Sequence, residues 1–348
     1  MRAWQLGARP AAPIAADAAI GHLAVGERPD PVAGPGELVV RVIAAGLNYR
    51  DLMVLRGAYG QGLPEARIPL TDGVGVVEQV GEGVTGFAPG ERVIAANFTG
   101  WLGDGGYGYH VFASDLGVTR DGWLAEKIVL PAAAAIPVPD AVSDETAAST
   151  AVVAGTVWHA MVAFGKVKAG DLVLTQGTGG VALYTLQLAK ALGAAVAITS
   201  SREDKLARVR ALGADFAINY RARPDWAAAL LEATGGRGAD VVVDTIGFSQ
   251  FAQTLAATAV EGRIATLGAL SGSPQDKADF DQGALIGKNV TVKGIASGHR
   301  GMIASALEVM AEHQIAMVID RIFAFDEAPA AYRHLLSCAH MGKVLVQI

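Results

Sequence analysis

The sequence predicts an α/β protein in which a doubly wound parallel sheet is inserted in a β-rich domain. Three observations carry this prediction: β-rich runs in the first third, strands alternating with helices from about residue 143, and a last segment that does not continue this alternation. Strands that alternate with helices imply parallel βαβ units whose helices cover both faces of one sheet. The length of 348 residues favours two domains.

The first third of the chain is typical of a small barrel or sandwich. Its strands are short, rich in Val and Ile, and separated by Gly and Pro. The predicted strands are residues 38–45, 74–81 and 91–95. The glycine-rich residues 100–108 predict a surface loop. We therefore place a β-rich domain at residues 1–135 and expect residues 314–348 to complete it.

The middle of the chain predicts the parallel sheet, in a domain spanning residues 136–313. The predicted strands are residues 171–175, 195–199, 215–218, 240–244, 263–267 and 290–294. The predicted helices are residues 181–192, 202–212, 225–234 and 249–259. After this domain, a helix at about 328–336 and a strand at 343–347 return the chain to the first domain.

The composition excludes several classes of protein. With 51% hydrophobic and 18% charged residues the chain has ample apolar surface for a core, which excludes a disordered protein. The net charge of −6 argues against a general nucleic-acid binder. The single cysteine, Cys338, excludes an intramolecular disulfide and a four-cysteine zinc site.

The start of the chain lacks the continuous apolar core of a signal peptide. Two long uncharged windows, residues 146–165 and 172–189, contain Ser, Thr or Gly at positions that suit buried elements of a globular fold better than membrane spans. We therefore expect a cytoplasmic protein that binds neither a membrane nor nucleic acid.

A glycine-rich turn between a strand and a helix predicts a dinucleotide site. The turn comprises Gly177, Thr178, Gly179, Gly180 and Val181, and with Ala182 it fits the pattern G-x-G-x-x-A. The first glycine allows a tight turn, the second lets the backbone approach a pyrophosphate, and the small last residue lets helix and strand pack closely. The free N–H groups at the helix N-terminus favour phosphate. This context predicts a Rossmann domain.

The end of the second strand of this domain favours NADP(H) over NAD. An NAD site usually has Asp or Glu there to bind the ribose hydroxyls. This chain instead has Ser200, Ser201 and Arg202, with Lys205 one turn later and no carboxylate before Glu203. Hydroxyls and two cations suit a 2′-phosphate. The alternative is that both cations belong to the solvated face of a helix.

Several further segments belong to one known pattern. They are residues 45–51 (AGLNYRD), 72–77 (DGVGVV), 81–84 (GEGV), 89–93 (PGERV) and 211–215 (ALGAD). With the glycine-rich turn, they make the sequence resemble the medium-chain dehydrogenase/reductase superfamily over nearly its whole length. The resemblance implies a GroES-like catalytic domain, a Rossmann domain, and an active site in the cleft between them. It also implies a homodimer formed through the Rossmann edge, for which residues 290–294 are the candidate strand.

The positions of the family's zinc ligands are changed in this chain. The resemblance implies that Asn48 replaces a cysteine, that residues 70–72 (Leu-Thr-Asp) replace Gly-His-Glu, and that a third ligand would fall near Val153. Asn and Thr are poor zinc ligands. The chain is therefore most similar to the zinc-independent quinone oxidoreductases and enoyl reductases of the family.

This similarity implies an NADPH-dependent enzyme that transfers hydride to a quinone or to an α,β-unsaturated carbonyl compound. Conjugate reduction spreads negative charge over an enolate or phenolate, so a protein without a metal needs hydrogen-bond donors at that oxygen. Two alternatives stay open. One is a metal-free alcohol or ketone dehydrogenase, and the other is an NADPH-binding structural or regulatory protein without turnover.

The candidate catalytic residues are Asn48, Tyr49, Arg50, Asp51 and Tyr59. The resemblance puts the Asn48 amide in the cleft, although an asparagine here can also simply form a turn. Tyr49 is expected to line the pocket, and Tyr59 is either a proton donor or an anchor for a glycine-rich loop. We expect Arg50 and Asp51 to brace the loop, with Arg50 paired to Asp72.

Further cofactor contacts are implied at the ends of the strands, where α/β sheets bind ligands. They are Thr156, Tyr220, Gly247, Gly268, Ala269, Leu270, Ser297 and Lys343. For Lys343 two roles are open, because its side chain can reach the cofactor phosphates or cap the last turn. Thr156 is expected to orient the nicotinamide.

Overall fold

A computed structural model describes residues 1–7, 12–59, 66–103, 105–268 and 280–348 of the chain. The described residues form two compact units. The first unit comprises Met1–Gly155 and His299–Ile348, and the second comprises Thr156–Gly298. The second unit is thus inserted in the chain between two segments of the first, as the sequence predicts.

The strands of the described residues are numbered in chain order. They are β1 (Arg2–Gln5), β2 (Ala24–Glu27), β3 (Glu37–Leu47), β4 (Asp72–Val80), β5 (Arg92–Ala95), β6 (Lys127–Pro131), β7 (Ala135–Pro137), β8 (Leu172–Gln176), β9 (Ala195–Ser200), β10 (Phe216–Asn219), β11 (Ala239–Asp244), β12 (Thr258–Thr266), β13 (Thr291–Gly294), β14 (Ile319–Ala324) and β15 (Lys343–Gln347).

The α-helices are numbered in the same way. They are α1 (Ala16–Ile20), α2 (Tyr49–Leu55), α3 (Asp144–Ala147), α4 (Ala151–Trp158), α5 (Gly180–Ala191), α6 (Glu203–Ala211), α7 (Trp226–Ala233), α8 (Phe251–Ala257), α9 (Gln282–Gly287), α10 (Arg300–Glu312) and α11 (Ala328–Leu336). Among the residues that the structure describes, no helix is long and apolar enough to cross a membrane.

The first unit is built on a mostly antiparallel sheet. Its strands lie in the order β14-β15-β3-β4-β5-β7, with β6 also pairing with β3. The long strand β3 is central, and most of its residues are buried. Gly73 of β4 lies against the buried ring of Trp123, and a Cβ added at Gly73 would come within 2.4 Å of that ring. A glycine is therefore required here for the core to close.

The second unit is a parallel sheet of six strands in the order β10-β9-β8-β11-β12-β13. All five neighbouring pairs are parallel. Every residue of β8 is buried, as expected for a strand covered on both faces. The chain order reverses between β8 and β11, which is the switch point at which doubly wound sheets bind ligands. This order confirms the predicted fold class.

Some boundaries differ from the sequence predictions. The second unit comprises Thr156–Gly298, whereas the sequence predicted residues 136–313. Helix α3, the start of α4 and all of α10 belong instead to the first unit. Helix α10 was not predicted, although its buried residues recur at helical spacing: Met302, Ile303, Ala306, Leu307 and Met310. Helix α8 ends at Ala257, and strand β12 begins at the next residue, Thr258. The end of the segment predicted as helix, residues 249–259, therefore belongs to β12.

Candidate active site

Three neighbouring strands of the first unit bring Asn48, Asp72 and Lys343 to one end of its sheet. Strand β3 ends at Leu47, directly before Asn48, and its antiparallel neighbour β4 begins at Asp72. On the other side of β3, strand β15 begins at Lys343, and the next residue, Val344, pairs with Leu47. The strand register therefore places an amide, a carboxylate and an ammonium side by side.

Hydrogen bonds join these three side chains. Lys343 Nζ donates to Asn48 Oδ1 at 2.7 Å and to Asp72 Oδ2 at 3.3 Å. Asn48 Nδ2 donates to the same Asp72 oxygen at 2.9 Å. Because an ammonium can only donate and a carboxylate can only accept, these contacts settle which way the amide faces. An amide nitrogen carries two hydrogens, and the bond to Asp72 uses one of them.

The cluster is buried, and its charges compensate one another. The side chains of Lys343 and Asp72 are 3% and 0% exposed. Asp72 Oδ1 accepts the backbone N–H of Val152 at 2.9 Å, so both carboxylate oxygens have donors. The backbone is also tightly packed here, since a Cβ added at Gly46 would lie 2.3 Å from the carbonyl oxygen of Ala148. The three polar groups are thus held in one arrangement.

Asp51 braces the turn that carries Asn48. Its Oδ2 accepts the backbone N–H of Asn48 at 2.7 Å, and its Oδ1 accepts the hydroxyl of Thr71 at 3.3 Å. Burial raises the pKa of Asp51 to about 7, against the opposing effects of the Asn48 N–H and of Arg50. The predicted bracing contact is therefore present, and it comes from a carboxyl group that takes up a proton near neutral pH.

The raised pKa predicts a pH-dependent contribution to stability. The folded chain binds a proton at Asp51 between about pH 4 and pH 7, where the unfolded chain has released it. As pH rises through this window, the free energy of unfolding of the wild type should fall relative to that of Asp51→Asn, by up to about 1.4 kcal/mol per pH unit. Above about pH 7 the difference should stay constant. Urea unfolding at pH 4.5, 5.5, 6.5 and 8 measures it, and parallel pH profiles would contradict it.

Arg50 pairs with Asp115 and not with Asp72, so that prediction is wrong. Asp72 already accepts from Asn48, Lys343 and a backbone N–H. Arg50 instead forms a buried ion pair with Asp115, and its Nη2 donates to the Tyr59 hydroxyl at 3.0 Å. Burial raises the pKa of Asp115 to about 6, although Arg50 opposes the shift. No local pattern marks Asp115, because it lies 65 residues from Arg50 in sequence.

Aromatic rings enclose the Arg50 guanidinium. Its central carbon lies 4.7 Å from the ring centroid of Tyr59 and 5.7 Å from that of Phe98. Burial also raises the pKa of Tyr59. These contacts suit the interpretation of Tyr59 as an anchor, and its role as a proton donor stays a prediction. Tyr49, the first residue of α2, is 40% exposed, so its ring is available to a ligand.

The residues at the family's zinc positions do not fit a zinc ion. The oxygen of the Asn48 amide is bonded to an ammonium, the Thr71 hydroxyl donates to Asp51, and Val153 offers no ligand atom. Among the residues that the structure describes, no group of three His, Cys, Asp or Glu side chains is arranged to hold a metal. We therefore derive no step through zinc.

In the second unit, the glycine motif forms the turn between β8 and α5. Gly177 has φ of +79°, in the left-handed region that favours glycine, and Gly179 is the N-cap of α5. A Cβ added at either position would meet no atom within 4 Å, so the backbone of this turn borders open space. The N-cap offers no side-chain hydrogen bond to the first N–H groups of α5. The turn therefore fits a pyrophosphate group.

Other residues predicted to bind the cofactor lie at the same edge of this sheet, because they follow its parallel strands. They are Ser200, Ser201 and Arg202 at the end of β9, Tyr220 after β10, Gly247 after β11, Gly268 after β12 and Ser297 after β13. Ala269 and Leu270 lie outside the described residues. Thr156 is buried in α4, at the start of the second unit. Lys343 lies in the first unit, bonded to Asn48 and Asp72.

The charged groups after β9 are mostly exposed. Arg202 forms an ion pair with Asp204 at 2.6 Å, and both side chains are more than half exposed. Such a pair contributes little free energy, so it leaves the guanidinium able to turn toward a ligand. Lys205 is buried. The carboxylate of Glu203 accepts from Asn219 Nδ2 at 2.6 Å, so Glu203 is already engaged at the end of β10.

Two polar residues at the sheet edge were missed by the sequence analysis. Asp244 ends β11, and its Oδ1 accepts the N–H groups of Ile246 and Gly247, both at 3.1 Å. Gln176 ends β8 and accepts the N–H of Thr245 at 3.2 Å. Both residues stiffen the backbone at the switch point. Their signal was available, since each is a polar residue that ends an apolar strand.

The chain matches two known families and several known proteins. Residues 34–140 match the alcohol dehydrogenase GroES-like domain, and residues 180–312 match the zinc-binding dehydrogenase family. A zinc-type alcohol dehydrogenase-like protein of Schizosaccharomyces pombe is 38% identical over 90% of this chain and 91% of its own length. An acryloyl-coenzyme A reductase of Sulfurisphaera tokodaii is 30% identical over 92% of this chain and 95% of its own length. The crystal structure of a putative alcohol dehydrogenase from Sinorhizobium meliloti covers 100% of both chains, with 38% identity and a TM-score of 0.89.

Proposed function

Since the chain belongs to the medium-chain dehydrogenase/reductase superfamily of oxidoreductases, we propose that it is a zinc-independent, NADPH-dependent enzyme that reduces α,β-unsaturated carbonyl compounds or quinones. One observation carries the proposal. The amide of Asn48, at a position where the resemblance puts a metal ligand in zinc-dependent relatives, is buried, and Asp72 uses only one of its two N–H bonds. The likeness to an acryloyl-coenzyme A reductase supports the conjugate-reduction branch.

In this proposal the chain's own residues stabilise negative charge on the substrate. When bound, NADPH would supply a hydride for the β-carbon of an unsaturated carbonyl compound or for a quinone ring. The second N–H of Asn48 Nδ2 then donates to the carbonyl oxygen, which becomes an enolate or phenolate oxygen. Asp51 holds the backbone on which Asn48 sits. The final proton comes from solvent or from the Tyr59 hydroxyl.

The choice of NADPH rests on the residues after β9. Ser200, Ser201 and Arg202 offer two hydroxyls and a guanidinium, and Lys205 follows on α6. This donor set suits a phosphate on the ribose, whereas Glu203 is held by Asn219. The turn at Gly177 and Gly179 would receive the pyrophosphate, with the N–H groups of α5 directed at it.

The experiment that tests the proposal is NADPH oxidation, followed by absorbance, against a panel of acceptors. The panel contains 1,4-benzoquinone, 9,10-phenanthrenequinone, 3-penten-2-one, crotonyl-CoA and a simple ketone, with NADH in parallel and with EDTA in a second series. We expect turnover of an enone, an enoyl thioester or a quinone, preferred with NADPH and unchanged by EDTA.

The same panel separates the alternatives. Turnover of the simple ketone alone would support a metal-free alcohol or ketone dehydrogenase. Tight binding of NADPH with no turnover of any acceptor would favour a structural or regulatory NADPH-binding protein. Loss of activity with EDTA, together with one zinc per chain in elemental analysis, would overturn the proposed chemistry.

We also propose that the protein is a homodimer joined through the free edge of β13. All four residues of β13 are exposed, and within the described residues β13 pairs only with β12. An unpaired strand edge readily pairs with another chain. Light scattering at micromolar concentration should give twice the chain mass, and Val292→Pro, which removes a backbone donor from this edge, should shift the protein toward monomer. A wild-type protein that is monomeric under these conditions would contradict the proposal.

A further inference from the structure

We infer that Lys343 is a positioning residue, whose buried positive charge acts through Asn48. The inference rests on the proposed function, because it assigns to Lys343 the task of holding and polarising the amide that binds the substrate oxygen. This role differs from the two that the sequence left open for Lys343, which were contact with the cofactor phosphates and capping of the last turn.

Of the two acceptors of Lys343 Nζ, the nearer is Asn48 Oδ1 at 2.7 Å, and the carboxylate of Asp72 is farther away at 3.3 Å. An ammonium whose only task was to neutralise Asp72 would be best placed on the carboxylate itself. The lysine is therefore directed mainly at the amide.

A positive charge at the oxygen of an amide draws electron density from its nitrogen and makes the N–H bonds better donors. Asp72 then orients the nitrogen by accepting one of these hydrogens at 2.9 Å. Hydrogen bonds in such a chain strengthen one another in a buried site. The remaining N–H is the group that the proposed function directs at the substrate oxygen.

The Lys343 side chain is 3% exposed. Moving an ammonium and a carboxylate from water into a protein interior commonly costs more free energy than their mutual attraction provides. An apolar pair would serve stability equally well. The lysine also comes from β15, the last strand of the chain, and reaches Asn48 across 295 residues of sequence. Its charge thus lies beside Asn48, a position at which the resemblance puts a zinc ligand.

The test compares three replacements of the lysine. Lys343→Met removes the charge and keeps the length, Lys343→Arg keeps the charge, and Lys343→Ala leaves room for an added amine. With the best acceptor of the panel, we expect Lys343→Met to lower kcat by about 10- to 100-fold, less than loss of the donor itself. We expect the dissociation constant of NADPH, measured by fluorescence titration, to change less than about 3-fold. Lys343→Arg should regain part of kcat, and methylammonium should partly rescue Lys343→Ala.

A further variant keeps the test valid if removal of one charge prevents folding. Lys343→Met combined with Asp72→Asn removes both charges, yet leaves an amide oxygen to accept from Asn48 Nδ2. We expect this double variant to fold and to remain as slow as Lys343→Met. The loss of kcat should also be larger for an enone than for a quinone, since an enolate is less stabilised by its own structure than a phenolate. A merely structural lysine would not produce this dependence on the acceptor.

Three results would overturn the inference. Unchanged kcat in Lys343→Met would show that the lysine is structural only. A loss of NADPH affinity that accounts for the loss of activity would assign the lysine to the cofactor phosphates. Full activity of the double variant would show that the charges serve only each other. Failure of the proposed function would look different, because the wild type itself would then reduce no acceptor of the panel.

Discussion

Replacement of Asn48 by alanine is expected to lower kcat for an enone or quinone by about 10²- to 10³-fold, because it removes the donor to the developing oxyanion. The loss should appear in kcat, since negative charge accumulates on the substrate oxygen only as the hydride is transferred. NADPH affinity should stay close to that of the wild type, because the glycine turn lies in the second unit and Asn48 in the first. Stopped-flow measurement of single-turnover NADPH oxidation gives the relevant rate.

Asn48→Leu is the matched control for the size of this side chain. It keeps nearly the size and branching of the asparagine, but it has no hydrogen to donate. If the N–H is the active element, this variant should be at least as slow as Asn48→Ala. A leucine variant with the wild-type rate would show that the side chain only fills space. Wild-type rates in both variants would mean that another group binds the substrate oxygen, and the proposed mechanism would fail.

The second unit could be predicted well from sequence because its signals are local. The strands are short apolar runs, and Gly177 in the turn after β8 has a positive φ that few residue types other than glycine adopt. Gln176 and Asp244, which end β8 and β11, were nevertheless missed, because the apolar residues before them predict a strand and not the role of its last residue.

The centre of the candidate active site could be predicted only in part. Asn48 was identified because the resemblance placed it at a changed ligand position. Its partner Lys343 was assigned elsewhere, because their contact depends on the pairing of β15 with β3, two strands at opposite ends of the chain. Pairing of distant strands leaves no period or spacing that a single sequence can reveal.

The error at Arg50 has a related cause. A cation and an anion that are expected in the same cleft suggest a pair, and the resemblance put both Arg50 and Asp72 there. The structure shows that Asp72 is saturated by other donors, so that Arg50 pairs with Asp115. The choice between two acceptors depended on how many donors each already has. The number of donors around an acceptor is a property of the folded chain, and charge and spacing along the sequence do not reveal it.

Gly179→Val is expected to weaken NADPH binding by at least about 100-fold while the fold survives. Gly179 has φ of −79°, a value that valine adopts readily, and a Cβ there would touch no protein atom within 4 Å. Valine is a poor N-cap, so the helix should lose about 1 kcal/mol at most. The added side chain would instead fill the open space over the turn, into which the pyrophosphate must fit for the backbone to reach it.

Gly287→Ala provides the control for this variant. Gly287 ends α9 in the same unit, and a Cβ there also meets no atom within 4 Å, but the residue is not part of the glycine turn. Fluorescence titration with NADPH and thermal unfolding, run on both variants, separate loss of binding from loss of structure. Full NADPH affinity in a folded Gly179→Val protein would mean that the turn does not hold the pyrophosphate. A protein that unfolds instead would show that this glycine is needed for the fold, since the space above it would then not be open in the molecule.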